Sequence, residues 1–447
     1  MERGLISMDR WSEGSQVYFL THLHSDHTNG LSSTWRRGPI FCSRITAKLF
    51  PFKFPNFDLS LLRILDIGSW TSVSLLSPSA GSKTFVQVMA IDAHHCPGAL
   101  MYLFRGEFGY MLYTGDFRWE ITSKRARVGM TMLLNALEGH RLDMLNLDNT
   151  YCNPSYYFPS RKLAAQKVVD VIAAHPEHDI VIGIDRLGKE DLLVHIAQAL
   201  KIKIWVWPER LQTMHLLGFH DIFTTKTSST RVRAVPRYSF SIETLEGLNS
   251  MRPTIGIMPS GLPWVVKPHQ VNGSRFSSLL SVSPHKGKLL LNGTNPIVVE
   301  KLIRNSEFVE RSHEYIYSIP YSDHSCFNEI KEFVRLIKPL NVKGIVSSSS
   351  CYVDPLYHLA HLFSATKPLH LRKLLPQQLE KFRREERDES METTKPESML
   401  GSDNWTEAGW KRTMSGNINI PASRLSRVSV IRRSQRGVKI VEDDFPA

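Results

Sequence analysis

Three histidines and an aspartate fall within six residues, His22-x-His24-x-Asp26-His27, directly after the apolar stretch QVYFL (16–20). No other feature constrains the fold as strongly, because the strand must end where these donors can meet something that uses them. Side chains alternate along a strand, so His22 and His24 leave its end in one direction, and Asp26 and His27 turn to a second side of the loop. One short segment can then serve two cations a few ångströms apart, the arrangement of two-metal phosphoesterases. Imidazole with carboxylate suits zinc, and manganese or iron as oxygen donors increase.

If this reading holds, further donors belong at other strand ends. His94 and His95 follow the apolar run 84–91, and the Pro97-Gly98 turn holds the imidazole before it. Asp116 follows YMLYT (110–114), and a carboxylate there can bridge two cations, one on each oxygen. His324 follows a run rich in isoleucine and tyrosine, with Asp323 beside it. Each segment alone has an ordinary loop explanation; four at predicted strand ends do not.

The texture of the chain changes once. Up to about residue 154, short β-type runs alternate with polar loops; LDMLNL (142–147) is the last of them. From Ser160, Leu163, Val168, Val169 and Ile172 recur at helical spacing, with Pro176 shortly after. Strand DIVIGI (179–184), helix KEDLLVHIAQALK and strand KIWVW (203–207) follow, an alternation that implies parallel crossovers. Later, residues 314–339 read strand, loop and helix, with Phe327, Ile330, Phe333, Val334 and Ile337 on one face, and VKGIVS (342–347) reads as a last strand. Beyond about Leu371 the chain is charged and rich in Ser and Arg without clear period, and is expected to be a mostly disordered tail.

Composition narrows the partners. The formal net charge of +12 favours an anionic partner. Five widely spaced cysteines, never in C-x-x-C spacing, suggest neither a disulfide framework nor a zinc finger, and fit a reducing compartment. No apolar stretch approaches bilayer length, so a soluble intracellular protein without a membrane partner is expected.

These residues resemble a family. The H-x-H-x-D-H run, His95 of HHCPG and Asp116 of TGDFR resemble the ligand motifs of the metallo-β-lactamase superfamily. LDNTYCNP (147–154), GKE (188–190) and PYSDHS (320–325) narrow the resemblance to the β-CASP DNA nucleases, over roughly residues 4–365. It implies an α/β fold: an αββα sandwich with an inserted α/β β-CASP domain and a disordered C-terminal tail. The boundaries expected are 1–154 for the first part of the metallo-β-lactamase domain, 155–262 for the β-CASP domain, 263–370 for the second part and 371–447 for the tail.

By the same resemblance, His22, His24, His95 and Asp116 bind a first cation, and Asp26, His27 and His324 a second, with Asp116 bridging. Asp26, His27, Asp116 and His324 are then the catalytic group. Asp9 orients ligand imidazoles and Asp148 supports the site without ligating. One or two divalent ions are implied: zinc, with magnesium or manganese at the second position. Such cations activate a water and neutralise charge on the phosphoryl oxygens. Cys96, although next to His95, is expected to pack rather than react.

The implied activity is metal-dependent 5′→3′ exonucleolytic hydrolysis of 5′-phosphorylated DNA in the nucleus. It would serve crosslink repair or the processing of broken ends. The substrate is single-stranded or end-containing duplex DNA, the partners are DNA-repair proteins, and a monomer is expected. A terminal phosphate needs hydroxyls, backbone N–H groups and a cation. Ser260 and Gly261 of MPSGLPW resemble that pocket, and Ser325 and Lys189 are further candidates. Asp185 stands where relatives often carry tyrosine in G-x-Y-x-x-G-K-E, and SSSSCY (347–352) also departs from the family pattern. Arg231, Arg233 and Arg237 could meet the DNA backbone or form a solvated face. Competing readings are a structure-selective DNA endonuclease, a β-CASP RNA nuclease and, from another class, a non-catalytic repair scaffold. A β-lactam or small-thioester hydrolase is disfavoured, since such enzymes lack the insertion and need no excess of basic charge.

Overall fold

Alternation along the first strands resolves into two sheets packed face to face. The computed structural model describes residues 5–77, 81–261, 310–346 and 353–364. The first sheet is parallel, in the order β1 (Ile6–Met8), β2 (Val17–Phe19), β3 (Ile40–Ser43) and β4 (Leu62–Leu65). In the second, β5 (Trp70–Leu76), β6 (Lys83–Asp92), β7 (Leu100–Gly106) and β8 (Gly109–Tyr113) form an antiparallel run. Then β9 (Met144–Leu147) and the late strand Asn341–Gly344 join in parallel.

Val17, Phe19, Phe41 and Leu65 of the first sheet meet Val73, Val86, Val88, Leu100, Tyr102 and Phe104 of the second in one buried layer. Residues at the alternate positions, Tyr18, Ile40 and Cys42 on one sheet and Met89, Ile91, Met101, Leu103 and Leu112 on the other, belong to a different buried cluster. That cluster includes side chains of α2 (Arg44–Lys53), α3 (Lys124–Leu137) and the later helix Phe327–Ile337, so helices cover the outer faces. The architecture is an αββα sandwich. A one-turn helix, α1 (Ser25–Thr28), follows β2.

The helical period from Ser160 gives α4 (Arg161–Ala174), capped by the Ser160 hydroxyl accepting from the Leu163 N–H. Next come β10 (Asp179–Ile184), α5 (Glu190–Leu200), β11 (Ile204–Trp205), α6 (Pro208–Leu216), β12 (Phe223–Thr224), β13 (Val232–Pro236), α7 (Ile242–Asn249) and β14 (Thr254–Pro259). They build a third sheet, completed by β15 (Glu310–His313) and β16 (Ile316–Ile319), in the order β12-β11-β13-β10-β14-β16-β15. Ile180, Ile182 and Ile184 pack with α4 and α5 on one face, and Val181 and Met258 with Leu245 of α7 on the other.

Two sequence expectations differ from these pairings. The strand expected over 203–207 shrinks to Ile204–Trp205, because Pro208 opens α6, where a missing N–H costs nothing. The insertion was expected to end at 262, yet β16 pairs in parallel with β14, Gly256 to Ile316 through Pro259 to Ile319. Sheet membership is set by pairing partners, and the apolar pattern of residues 314–319 carries no mark of which sheet it joins. The tail beyond 371 and SSSSCY (347–352) lie outside the described residues.

Among the described residues, Cys42, Cys96, Cys152 and Cys326 are free and buried, and no helix is long and apolar enough to cross a membrane. Because β10, β14 and β16 run parallel, they end at one edge, and the loops 185–189, 260–261 and 320–326 gather there. In open α/β sheets that carboxyl edge is where ligands bind.

Candidate metal centre

Five strand-end segments deliver the polar side chains. His22, His24, Asp26 and His27 follow β2, with the last two on α1 rather than on an open loop. His95 follows β6, Asp116 follows β8, Asp148 follows β9 and His324 follows β16. At the β6 turn, Gly98 sits at φ +82, and a Cβ there would press to 2.8 Å from the Ser43 and Thr46 hydroxyl oxygens.

The donors converge. His22 Nε2 lies 3.0 Å from His24 Nδ1, and His24 Nδ1 lies 3.1 Å from His95 Nε2. Asp116 Oδ2 is 3.9, 3.7 and 3.8 Å from Nε2 of His22, His95 and His324. Its other oxygen faces His27 Nε2 at 3.4 Å, and Asp26 Oδ2 lies 3.8 Å from that same nitrogen. Donors about 2.0–2.2 Å from one tetrahedral ion stand roughly 3.3–3.6 Å apart, so this spacing fits two ion positions sharing Asp116. His324, which the resemblance gives to the second cation, lies on the Oδ2 side, its ring centroid 4.7 Å from that of His95.

Proton bookkeeping tests the fit to a cation. His27 Nδ1 donates to Asp9 and His324 Nδ1 to Asp148, each at 2.7 Å; His24 Nε2 donates to the Leu187 carbonyl at 2.9 Å and His95 Nδ1 to the Asp323 carbonyl at 2.8 Å. The single hydroxyl proton of Thr21 goes to Asp9 at 2.7 Å, so Thr21 accepts from His22 Nδ1 at 3.0 Å. In the neutral tautomers so fixed, His22, His24 and His95 aim bare lone pairs at one another at about hydrogen-bond distance, a repulsive arrangement unless a cation takes them. The donor set is that of a divalent-cation centre.

The electrostatics differ between the two halves. Burial, then neighbouring imidazoles, hold His22 well below its ordinary value, and the same causes, His324 foremost among the neighbours, bring His95 to about 3. Both stay neutral, as ligands must. Burial opposes charge on His27 too, but Asp116, Asp9 and Asp26 outweigh it and raise His27 well above the ordinary imidazole value. Cys96 Sγ lies within 4.8 Å of the His22, His24 and His95 donor atoms, but burial pushes its thiol far up, with Glu190 and Asp323 adding to it.

Of the phosphate candidates, Ser260 and Gly261 sit at the end of β14, where a Cβ on Gly261 would meet the Tyr151 hydroxyl at 2.7 Å and the Ser322 hydroxyl at 2.9 Å. Only glycine lets these groups approach the backbone so closely. Ser325 is placed otherwise: its hydroxyl accepts from the Trp119 N–H at 2.7 Å and donates to the Phe117 carbonyl at 3.3 Å, splicing two loops. Lys189 is 3.0 Å from both Asp185 and Asp323.

The arginine cluster also turns inward. Arg231 donates to the carbonyls of Ile172, His175 and His178 at the end of α4, Arg233 pairs with Asp179 at 3.1 Å, and Arg237 approaches Asp185 at 3.9 Å. Sequence reasoning missed Thr21, the relay between Asp9 and His22, and Arg118. Fully buried, Arg118 pairs with Glu329 at 3.0 Å and donates to the carbonyls of Ser322 and Pro159. Its place two residues after Asp116 was the available signal.

Residues 219–350 match the family described as DNA repair metallo-beta-lactamase. The chain is 37% identical over 353 residues to the 5′ exonuclease Apollo of Gallus gallus, covering 78% of this chain and 63% of that protein. It is 35% identical to the 5′ exonuclease Apollo of Rattus norvegicus, over 77% of this chain and 54% of the relative. With the DNA cross-link repair protein SNM1 of Arabidopsis thaliana it shares 30% identity, over 76% and 62%. The chain thus spans between about half and five-eighths of the length of these relatives.

Proposed function

We propose, from its similarity to the DNA repair metallo-beta-lactamase family and to the 5′ exonuclease Apollo of Gallus gallus, that the chain is a metallo-β-lactamase/β-CASP protein and a divalent-cation-dependent 5′→3′ DNA exonuclease that hydrolyses phosphodiester bonds from 5′-phosphorylated ends. The observation that carries the reading is the convergence of four imidazoles on Asp116, with a fifth, His24, against two of them and every outer ring nitrogen anchored. His22, His24, His95 and Asp116 hold one cation, and Asp26, His27 and the shared Asp116 the other; His324, which the resemblance gives to the second, lies against Asp116 Oδ2 and His95. Zinc suits the imidazole-rich half, and magnesium or manganese the half with more oxygen. Bound there, the cations supply an activated water and offset charge on the phosphoryl oxygens.

The chain's own residues do the rest. Asp9 and Asp148 fix the rings of His27 and His324. Asp26 and His324, with side chains 19% and 13% exposed, mark the open side of the site, and a group near them passes a proton to the leaving 3′-oxygen. Ser260 and the Gly261 backbone, beside the Tyr151 and Ser322 hydroxyls, receive the terminal phosphate. We read β15 and β16, which lie in one sheet with β14, as part of the inserted domain that begins near residue 155. We place the protein in the nucleus as a monomer that works with other repair proteins on crosslinked or broken DNA.

The test compares DNA and RNA oligonucleotides with 5′-phosphate and 5′-hydroxyl ends, using wild-type protein and the variants Asp26→Ala and His27→Ala. Wild type should degrade 5′-phosphorylated DNA stepwise, and both variants should lose that activity. Full-rate digestion by either variant would refute the two-cation assignment. Internal cuts at DNA junctions would favour the endonuclease reading, preference for RNA the RNA nuclease, and no digestion at all the scaffold.

A further inference from the structure

A buried lysine stands behind two of the imidazoles, where the inserted domain meets the segment that returns from it. Lys189 lies in the loop after β10, at φ +64, with its side chain 8% exposed. Its Nζ is 3.0 Å from Asp185 Oδ2 in its own loop and 3.0 Å from Asp323 Oδ2, 134 residues further on. Both loops carry a carbonyl that orients a metal-facing ring. Leu187 O takes His24 Nε2 at 2.9 Å, and Asp323 O takes His95 Nδ1 at 2.8 Å. Those rings are the pair whose inner nitrogens meet at 3.1 Å.

The Leu187 side chain also packs into the sandwich core, while the remaining hydrogen bonds of the 187–190 loop stay within the inserted domain. Gly188 N donates to Glu190 at 3.0 Å, and Arg210 donates to the Gly188 carbonyl at 2.8 Å while pairing with Glu190 at 2.8 Å. Lys189 reaches across to the loop of Asp323. An ammonium already held by two carboxylates is a poor phosphate receptor, since with Arg237 also 3.9 Å from Asp185 the local sum carries no net positive charge.

We propose that Lys189 is a positioning residue: it clamps the Asp185 and Asp323 loops together so that His24 and His95 keep their cation-binding geometry. Loading of the first cation thereby depends on the contact between inserted domain and sandwich. The inference rests on reading His22, His24, His95 and Asp116 as a cation site. Removing a group that orients a ligand commonly lowers metal affinity about 10–100-fold.

The experiment is a zinc titration of the full chain, stripped of metal, against a chromophoric chelator. Wild type is compared with Lys189→Met, Lys189→Arg and Asp185→Asn. Lys189→Met should weaken the first cation about 10–100-fold, Lys189→Arg should restore most of that affinity, and Asp185→Asn should fall between. Lys189→Met leaves two carboxylates facing each other; if it fails to fold, Lys189→Met combined with Asp185→Asn relieves the repulsion and is titrated in its place. Wild-type cation affinity in the methionine protein overturns the proposal. If that protein also shows a raised KM for 5′-phosphorylated but not 5′-hydroxyl DNA, Lys189 serves the phosphate instead. A wild-type chain that binds no zinc removes the premise itself, a result distinct from failure of the clamp alone.

Discussion

Replacing Asp9 with asparagine separates charge and acceptor geometry from shape. Asp9 lies just past β1 at φ +47, a conformation asparagine adopts more readily than most residues, so the backbone should tolerate the change. Its two oxygens take the Thr21 N–H at 2.8 Å, the Thr21 hydroxyl at 2.7 Å and His27 Nδ1–H at 2.7 Å. An amide has one acceptor oxygen, so either His27 or the Thr21 N–H must face an NH2 group. A buried donor left without a partner costs about 1–3 kcal/mol. In the other orientation His27 keeps only a neutral acceptor, roughly half as strong as a carboxylate.

A 10–100-fold loss of cation affinity, the usual effect of removing such a partner, corresponds to about 1.4–2.7 kcal/mol, within the same range. Asp9→Asn should therefore weaken the cation held by Asp26 and His27 by about 10–100-fold. The effect on the His22 half, which feels Asp9 only through Thr21, should be smaller. Calorimetric titration of metal-free protein reads both sites, and activity should return as cation concentration rises while KM for DNA stays put. Wild-type affinity at both sites in Asp9→Asn would show that the Asp9–Thr21–His27 arrangement is not what holds the ligands.

Three further outcomes are expected. In cation-free protein His27 is held protonated by Asp116, Asp9 and Asp26, so loading its site must expel a proton. Affinity there should rise with pH by up to about tenfold per unit below the folded pKa, while His22 and His95 compete little. Proton release compared in two calorimetric buffers checks this. Because the folded pKa is raised, His27 stabilises the cation-free fold fully below its unfolded value of about 6.5, and that contribution is lost as pH climbs through the folded value.

Arg118→Met should destabilise the fold by about 3–5 kcal/mol by stranding Glu329. Adding Glu329→Leu should recover part of this in thermal unfolding. Cys96→Ala should keep the wild-type cation content by elemental analysis, because the buried thiol remains protonated beside imidazoles that suffice as donors.

The strand ends were legible because alternation and apolar runs are local. His22, His95, Asp116 and His324 each follow a strand, and α4 begins one residue after its capping Ser160. The third sheet was visible only as strand–helix alternation, since its order depends on pairings such as β14 with β16 across dozens of residues.

Proton partners were the least legible. Nothing near Lys189 in the chain announces Asp323, nothing near His24 announces the Leu187 carbonyl, and the hydroxyl of Ser325 is committed to backbone groups at Phe117 and Trp119. The arginines 231–237 left a DNA-facing stripe and a solvated face equally open, since charge alone does not say whether a guanidinium turns outward or caps a helix, as Arg231 does for α4.

Anomalous diffraction from crystals soaked in zinc or manganese tests the central claim most directly. Two peaks are expected, one on each side of the Asp116 carboxylate: the first among His22, His24 and His95, the second beside Asp26 and His27, with both weakened in Asp116→Ala. Density for cations elsewhere on the chain, with none against Asp116, would contradict it.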